Sequence, residues 1–257
     1  MKGMTWAGAT VIVTGASRGI GAAVVSAALE RGARVGAISR TPVGTVPWQA
    51  ADVGDRAQVT AAITALEREL GPTDILVANA GIGAYGAFTD IDVDEIERLV
   101  QVNYLGTVYP IKAVLPGMIE RGRGHVVIVA SVAGRFGSPF EAAYSATKFA
   151  QVGLGEALSV ELSASGVGVS IVDPGVVDTA FFETRGHPFD RSFPKLIPAA
   201  RVADAVVRAV ERDQLEAFVP RPFAVAVAVR HLAPALYAWG TRRAFRRELG
   251  AGRLSGP

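Results

Sequence analysis

Residues 14–21 read Thr14-Gly15-Ala16-Ser17-Arg18-Gly19-Ile20-Gly21, and the β-branched run Val11-Ile12-Val13 stands directly before them. A short apolar run, a glycine-spaced turn and the alanine-rich stretch Gly19–Arg31 predict strand, tight turn and helix in succession. Glycines at 15, 19 and 21 let the chain turn sharply and bring its backbone close to a pyrophosphate resting on the helix N-terminus. A bare glycine pattern is weak evidence, since ordinary strand-to-helix turns use the same residues. Here the flanking strand and helix give it weight.

Outward from that turn the same alternation repeats. Val11–Thr14, Val35–Ser39, Ile75–Ala78, His125–Val129 and Val169–Val172 read as strands; Gly19–Arg31, Asp55–Leu70, Val93–Glu120, Ala142–Ser163 and Ala199–Asp213 read as helices. The strand runs are continuously apolar, as parallel strands covered on both faces must be. An α/β fold with a doubly wound parallel sheet is expected, with ligands at the carboxyl ends of the strands. Residues 40–51 hold two prolines and a glycine. That link is too short and too broken for a full crossover helix plus a strand, so a loop is expected in place of the helix.

Composition bounds the remaining choices. The 257 residues are 50% hydrophobic and 19% charged, enough for one large domain with a substantial core. With no cysteine, disulfides, zinc–thiolate sites and a cysteine nucleophile are excluded, and no metal is implied. The first residues lack a charged segment followed by a long apolar one, so a soluble, cytoplasmic protein is expected. Residues 221–257 carry seven arginines against Glu248 alone, a net of +6 that leaves −4 for the rest. The basic balance therefore belongs to the tail, and no nucleic-acid partner is expected.

Tyr144 and Lys148 are four residues apart in a predicted helix and so lie on one face, one turn from each other. A tyrosine of pKa about 10 is a poor acid or base near neutrality. An ammonium held one turn away favours the phenolate and moves it toward useful proton transfer. Ser131 is placed to hold a carbonyl or alkoxide oxygen beside it. On the cofactor side, no Asp or Glu occurs from Arg31 to Ala51, where an NAD-preferring fold has the acid that grips the ribose 2′-hydroxyl. Arg40, with Ser39 as a hydrogen-bond donor and Arg18 as a second cation, suits a 2′-phosphate instead. NADP(H) is therefore expected over NAD(H); a merely solvated Arg40 competes, and the missing acid tips the balance.

Taken together, these residues resemble the short-chain dehydrogenase/reductase family, with matching motifs over roughly residues 9–220. The resemblance implies a single Rossmann-like domain. Gly15, Ser17, Arg18, Gly19, Ile20 and Gly21 look like the family's cofactor loop; Asp52-Val53 looks like the pair that contacts adenine. Asn79-Ala80-Gly81 resembles the element that stabilises the sheet beside the cofactor, and Pro174-Gly175 with Val177 and Thr179 resembles the stretch beside the nicotinamide. Asn103, Ser131, Tyr144 and Lys148 match the family's active-site residues. The implied roles are these: Tyr144 donates a proton to a carbonyl oxygen that receives hydride at its carbon, and Ser131 hydrogen-bonds that oxygen. Lys148 holds the nicotinamide ribose and lowers the pKa of Tyr144, while Asn103 positions a water linking Lys148 to solvent. Each residue alone has a bland reading, as core tyrosine, solvated lysine, loop cap or satisfied amide. Their joint order favours an NADP(H)-dependent oxidoreductase acting on a carbonyl or secondary alcohol, and the resemblance implies a homo-oligomer, dimer or tetramer. Two departures from the pattern are Ala78 before Asn79 and the shortened link after Arg40.

Three other readings stand beside it: an NAD(H)-dependent hydroxysteroid-like alcohol dehydrogenase, an epimerase or dehydratase of nucleotide-linked sugars, and a non-catalytic dinucleotide sensor. The sensor has no need of Ser131, Tyr144 and Lys148 together, and the sugar enzyme would want a larger substrate region. The resemblance implies a substrate-covering lid over about residues 176–198, a stretch that holds Phe181, Phe182, Phe189 and Phe193. Val132, Phe136 and Phe140 are expected to add apolar lining, and an apolar substrate follows as a modest preference. The tail 221–257 is expected to pack on or near the same domain. Its apolar run Phe223–Val229 is far short of the ~20 residues that span a bilayer. The pairs Arg242/Arg246 and Arg243/Arg247 would form a basic stripe, so peripheral contact with an anionic membrane is a minor alternative.

Overall fold

The computed structural model describes residues 3–189 and 194–250. Phe193 and Arg253 lie outside them, and of the Arg247 side chain nothing is described. In chain order the elements are β1 (Thr10–Thr14), α1 (Gly19–Glu30), β2 (Arg34–Ser39), β3 (Trp48–Ala50), α2 (Arg56–Leu70), β4 (Ile75–Ala78), α3 (Val93–Leu99), α4 (Gly106–Glu120), β5 (Gly124–Val129), α5 (Ala142–Glu161), β6 (Val167–Pro174), β7 (Val177–Asp178), α6 (Phe181–Thr184), β8 (Ile197–Pro198), α7 (Ala199–Arg212), β9 (Glu216–Val219), α8 (Phe223–Leu232), α9 (Pro234–Ala244) and α10 (Arg246–Gly250).

Seven parallel strands form the central sheet in the order β3-β2-β1-β4-β5-β6-β9. The order reverses between β1 and β4, so the crevice at the carboxyl ends of those two strands is the switch point of a doubly wound sheet. Every residue of β1, β4, β5 and β6 is buried. Val11, Val13, Ile75, Val77 and Val127 pack toward α1 and α7, while Ile12, Leu76, Val126 and Ile128 pack toward α2 and α4. The continuously apolar strands thus feed two cores, one on each face.

The link after β2 is a loop, as its prolines require, yet it delivers a strand. Ala37, Ile38 and Ser39 pair with Trp48, Gln49 and Ala50. A three-residue edge strand just after Pro47 has too little pattern to read in advance. It is tied down by the Trp48 indole, which donates to the Ser39 carbonyl at 3.1 Å. The long helix expected over 93–120 is continuous, but its turn at Val100–Leu105 is wound as a π-helix. Such bulges often sit at functional sites, and this one carries Asn103.

Candidate active site

The glycine turn is shaped by what surrounds it. Gly15 has φ +66°, and a Cβ there would lie 2.8 Å from the Ala80 Cα. A Cβ on Gly21 would lie 2.2 Å from the Gly15 carbonyl oxygen, so neither position accepts a side chain without backbone movement. Asn79 locks the turn from the next strand: its amide nitrogen donates to the Thr14 and Gly15 carbonyls at 3.0 and 3.2 Å. The Thr14 hydroxyl accepts from the main-chain amides of Asn79 and Ala80. Helix α1 starts at this turn with no side-chain cap and no acid in its first turn. Its free N–H groups and positive dipole end face the crevice, which is what an anion needs.

A cleft of about 1160 Å³ runs from this turn across the carboxyl ends of the sheet. Every expected cofactor and catalytic residue lines it except Gly21, which packs under Gly15, and Asn103, which lies behind the wall. Arg18, Ser39, Arg40 and Thr41 wall one end, and Ser131, Tyr144 and Lys148 stand near the middle. Ser39 holds its neighbours rather than pointing a spare proton into the cleft: its hydroxyl donates to the Thr41 carbonyl at 2.6 Å and accepts from the Trp48 indole. Burial pushes the Asp52 carboxyl up, but its hydrogen bonds with Arg98 and the Gly54 amide, together with the charges of Arg98 and Arg40, leave it below its ordinary value. Asp52 therefore stays ionised beside the cation Arg40.

Ser131 caps a short turn after β5, accepting from the Ala133 amide at 3.1 Å, while its hydroxyl donates to the Pro174 carbonyl at 3.4 Å. Tyr144 is 8% exposed and Lys148 4%. Burial, with the charge of Glu141, raises the phenol above its ordinary value against the opposing pull of Ser131 and Arg185. Glu141 and Arg185, both cleft-lining, pair with each other. Burial lowers the Lys148 ammonium to about 7, against the attraction of Asp173. The pull of Lys148 on Tyr144 expected from sequence is not the leading influence here. Nζ lies 5.7 Å from the ring centroid and donates instead to the Val129 carbonyl (3.1 Å) and Gln151 Oε1 (2.8 Å). The phenol is thus held neutral, the form that can give a proton to a carbonyl oxygen.

Asn103 is fully buried. Its side chain clasps Ile82, accepting from the amide at 2.8 Å and donating to the carbonyl at 3.0 Å, and it donates to Thr147 on α5. Four residues that the sequence did not single out complete the site. Gln151 and Thr147 share the buried face of α5; Glu141 and Arg185 flank Tyr144. Gln151 carried a legible signal, standing three residues after Lys148 on the same helical face.

The substrate side is apolar. Phe136, Phe181, Phe182 and Phe189 line the cleft, and so do Phe223 on α8 and Trp239 on α9. Phe140, expected in the lining, instead packs at φ +65° with its ring 5.8 Å from that of Tyr85. The tail walls the cleft on this side: Val229, Leu236 and Tyr237 line it, and Arg242, Arg243 and Arg246 are exposed. Among the described residues, no helix is long and apolar enough to cross a membrane.

The comparisons with known proteins agree with this geometry. The family profile described as short chain dehydrogenase matches residues 9–188. The chain is 34% identical over 236 residues to the ketoacyl reductase HetN of Nostoc sp., covering 84% of this chain and 79% of that protein. It is 33% identical over 235 residues to the 3-ketodihydrosphingosine reductase of Bos taurus, covering 84% and 71%. Among solved structures, a short chain dehydrogenase from Burkholderia cenocepacia in complex with NADP superposes with a TM-score of 0.79 at 30% identity, covering 91% of this chain and 98% of that one. A 3-ketoacyl-(acyl-carrier-protein) reductase from Brucella melitensis, complexed with NADH, gives 0.78 at 26% identity, covering 83% and 97%.

Proposed function

The chain belongs to the short-chain dehydrogenase family of oxidoreductases, and from that premise we propose that it is an NADP(H)-dependent reductase of a ketone carrying an apolar chain. The observation that carries the chemistry is a buried Tyr144, its phenol held neutral, lining one apolar cleft together with Ser131 and Lys148. The residues present fit a dinucleotide. The side-chain-free cradle of Gly15 and Gly21 and the uncapped start of α1 would hold the pyrophosphate, while Asn79 fixes the turn beside it. Lys148 would hold the nicotinamide ribose. When bound, the cofactor supplies hydride to the carbonyl carbon.

The protein's own residues do the rest. Ser131 donates to the substrate oxygen and orients it toward Tyr144, whose phenol gives the oxygen its proton as charge develops there. NADP(H) over NAD(H) rests on Arg18 and Arg40 at the far end of the cleft and on the absence of an acid at the end of β2. The ketone reading rests on the phenylalanine lining and on two relatives named as a ketoacyl reductase and a 3-ketodihydrosphingosine reductase. The test is NADPH consumption across ketones of increasing chain length. Tyr144→Phe is expected to lower kcat by a thousandfold or more while NADPH still binds. Normal turnover by that variant would end the assignment, and binding without turnover by the unaltered protein would favour a sensor.

A further inference from the structure

Behind Lys148 the polar groups form a closed set. Gln151 is fully buried on α5, one turn from Lys148, and each polar atom of its amide is engaged. Oε1 accepts from Lys148 Nζ at 2.8 Å; Nε2 donates to the Asn103 main-chain carbonyl at 2.9 Å and to Thr107 Oγ1 at 2.7 Å. The Asn103 carbonyl also accepts from the Thr107 hydroxyl at 2.8 Å. A carbonyl oxygen has two lone pairs, and an amide NH₂ has two donors. Both sets are used up, so the Asn103 carbonyl is already filled by side chains of this chain and leaves no lone pair there for the water by which the family resemblance has Asn103 link Lys148 to solvent.

We propose that Gln151 is a positioning residue for Lys148: its amide stands as a fixed strut between the ammonium and the Asn103 turn, in the place of a bridging water. The strut differs from water in kind. A water can accept one proton while releasing another; a carboxamide passes a proton only through a high-energy imidic form, so this link orients Lys148 without connecting it to solvent. The proton that Tyr144 gives up in the proposed reduction is then replaced by water entering through the mouth of the cleft. That consequence rests on the proposed role of Tyr144, whereas the strut itself does not.

The charged surroundings of Lys148 are few. Asp173 from β6 attracts it, and Asp173 is in turn bound by Arg135 from the turn after β5 at 2.9 Å. Tyr144 faces it from its own helix, and the groups from β5 and the Asn103 turn are uncharged. An altered charge at position 151, adjacent to Nζ, should therefore dominate the ammonium's response to pH.

The chain has four lysines, so a lysine-13Cε-labelled, cofactor-free protein gives a spectrum in which Lys148 can be titrated. Gln151→Glu is expected to raise the Lys148 midpoint by one unit or more. Gln151→Met, of similar length but without an acceptor, is expected to lower it by half a unit or more. The high-pH limb of kcat/KM for reduction should move in the same two directions. In the unaltered protein, which needs no variant to fold, the Gln151 side-chain amide should stay protected from solvent exchange for hours. An unmoved Lys148 midpoint in both variants, or a rapidly exchanging Gln151 amide, would overturn the strut. Because the titration and the exchange need no turnover, they answer even if the proposed reductase activity fails.

Discussion

Arg40 lines the cleft beside Ser39 and Thr41, exposed and within electrostatic reach of Asp52. A hydrogen bond to a charged group contributes about 1.5–3 kcal/mol, and replacing the cation by an anion adds repulsion to that loss. Arg40→Asp is therefore expected to shift the NADPH/NADH ratio of kcat/KM toward NADH by about 30-fold or more. An unchanged ratio in steady-state kinetics would remove Arg40 from cofactor selection and leave Arg18 alone in that role. At this scale the sequence was most informative where backbone geometry or ionic chemistry admits few residue types. Gly15 and Gly21 tolerate no Cβ, and Tyr144 and Lys148 share a helix face. It was least informative where a role depends on a hydrogen-bond partner far along the chain. Gln151 meets Asn103 across 48 residues, and only the packing of α5 on the π-wound turn brings them together.

Among elements, the strands were legible because burial on both sheet faces leaves continuous apolar runs, and the long helices because they have length enough to show a period. The short edge strand β3 was missed for want of pattern, and so was β9, whose four residues alternate between half-buried and buried. The π-wound turn gives no periodicity signal of its own. At the end of the sheet away from the cleft, β5 and β6 hold a buried titratable group. His125 is paired in register with Gly168, and its Nε2 lies 2.8 Å from Ser170 Oγ. That hydroxyl donates to the Gln214 carbonyl at 2.7 Å, so Nε2 carries the proton and the ring is neutral. Burial pulls its pKa down to about 4, against the attraction of Asp213. The unfolded chain takes up this proton below pH 6.5, and the folded one only near 4. Stability is therefore expected to fall as pH drops from about 6.5 to 4, by ~3 kcal/mol from this residue, and then to level off. Urea midpoints over that range check it. His125→Gln keeps a donor for Ser170 and should flatten the dependence; an equal slope in the variant would assign the acid sensitivity to other groups.

Over the whole molecule, the division of labour follows the two sides of the cleft. The sheet's switch point builds the dinucleotide side from residues scattered along the first two thirds of the chain, while the substrate side is walled by α6 and by the tail helices α8 and α9. The arginine-rich tail thus lays Phe223 and Tyr237 against the cleft wall, their rings 6.4 and 5.9 Å from that of Phe136, while Arg242, Arg243 and Arg246 stay exposed and Arg230 stacks over the Phe149 ring at 5.3 Å. If that wall grips the apolar chain of the substrate, its removal should penalise long substrates selectively. Each buried methylene contributes about 0.8 kcal/mol, so losing the burial of two or three of them costs about 2 kcal/mol, or ~30-fold in kcat/KM. A chain ended at Pro220 is expected to lose that factor on a long-chain ketone and less than threefold on a short one. Circular dichroism and thermal melting would verify that the sheet remains intact. Equal losses on both ketones, with the fold preserved, would mean that the tail closes the cleft without selecting what enters it.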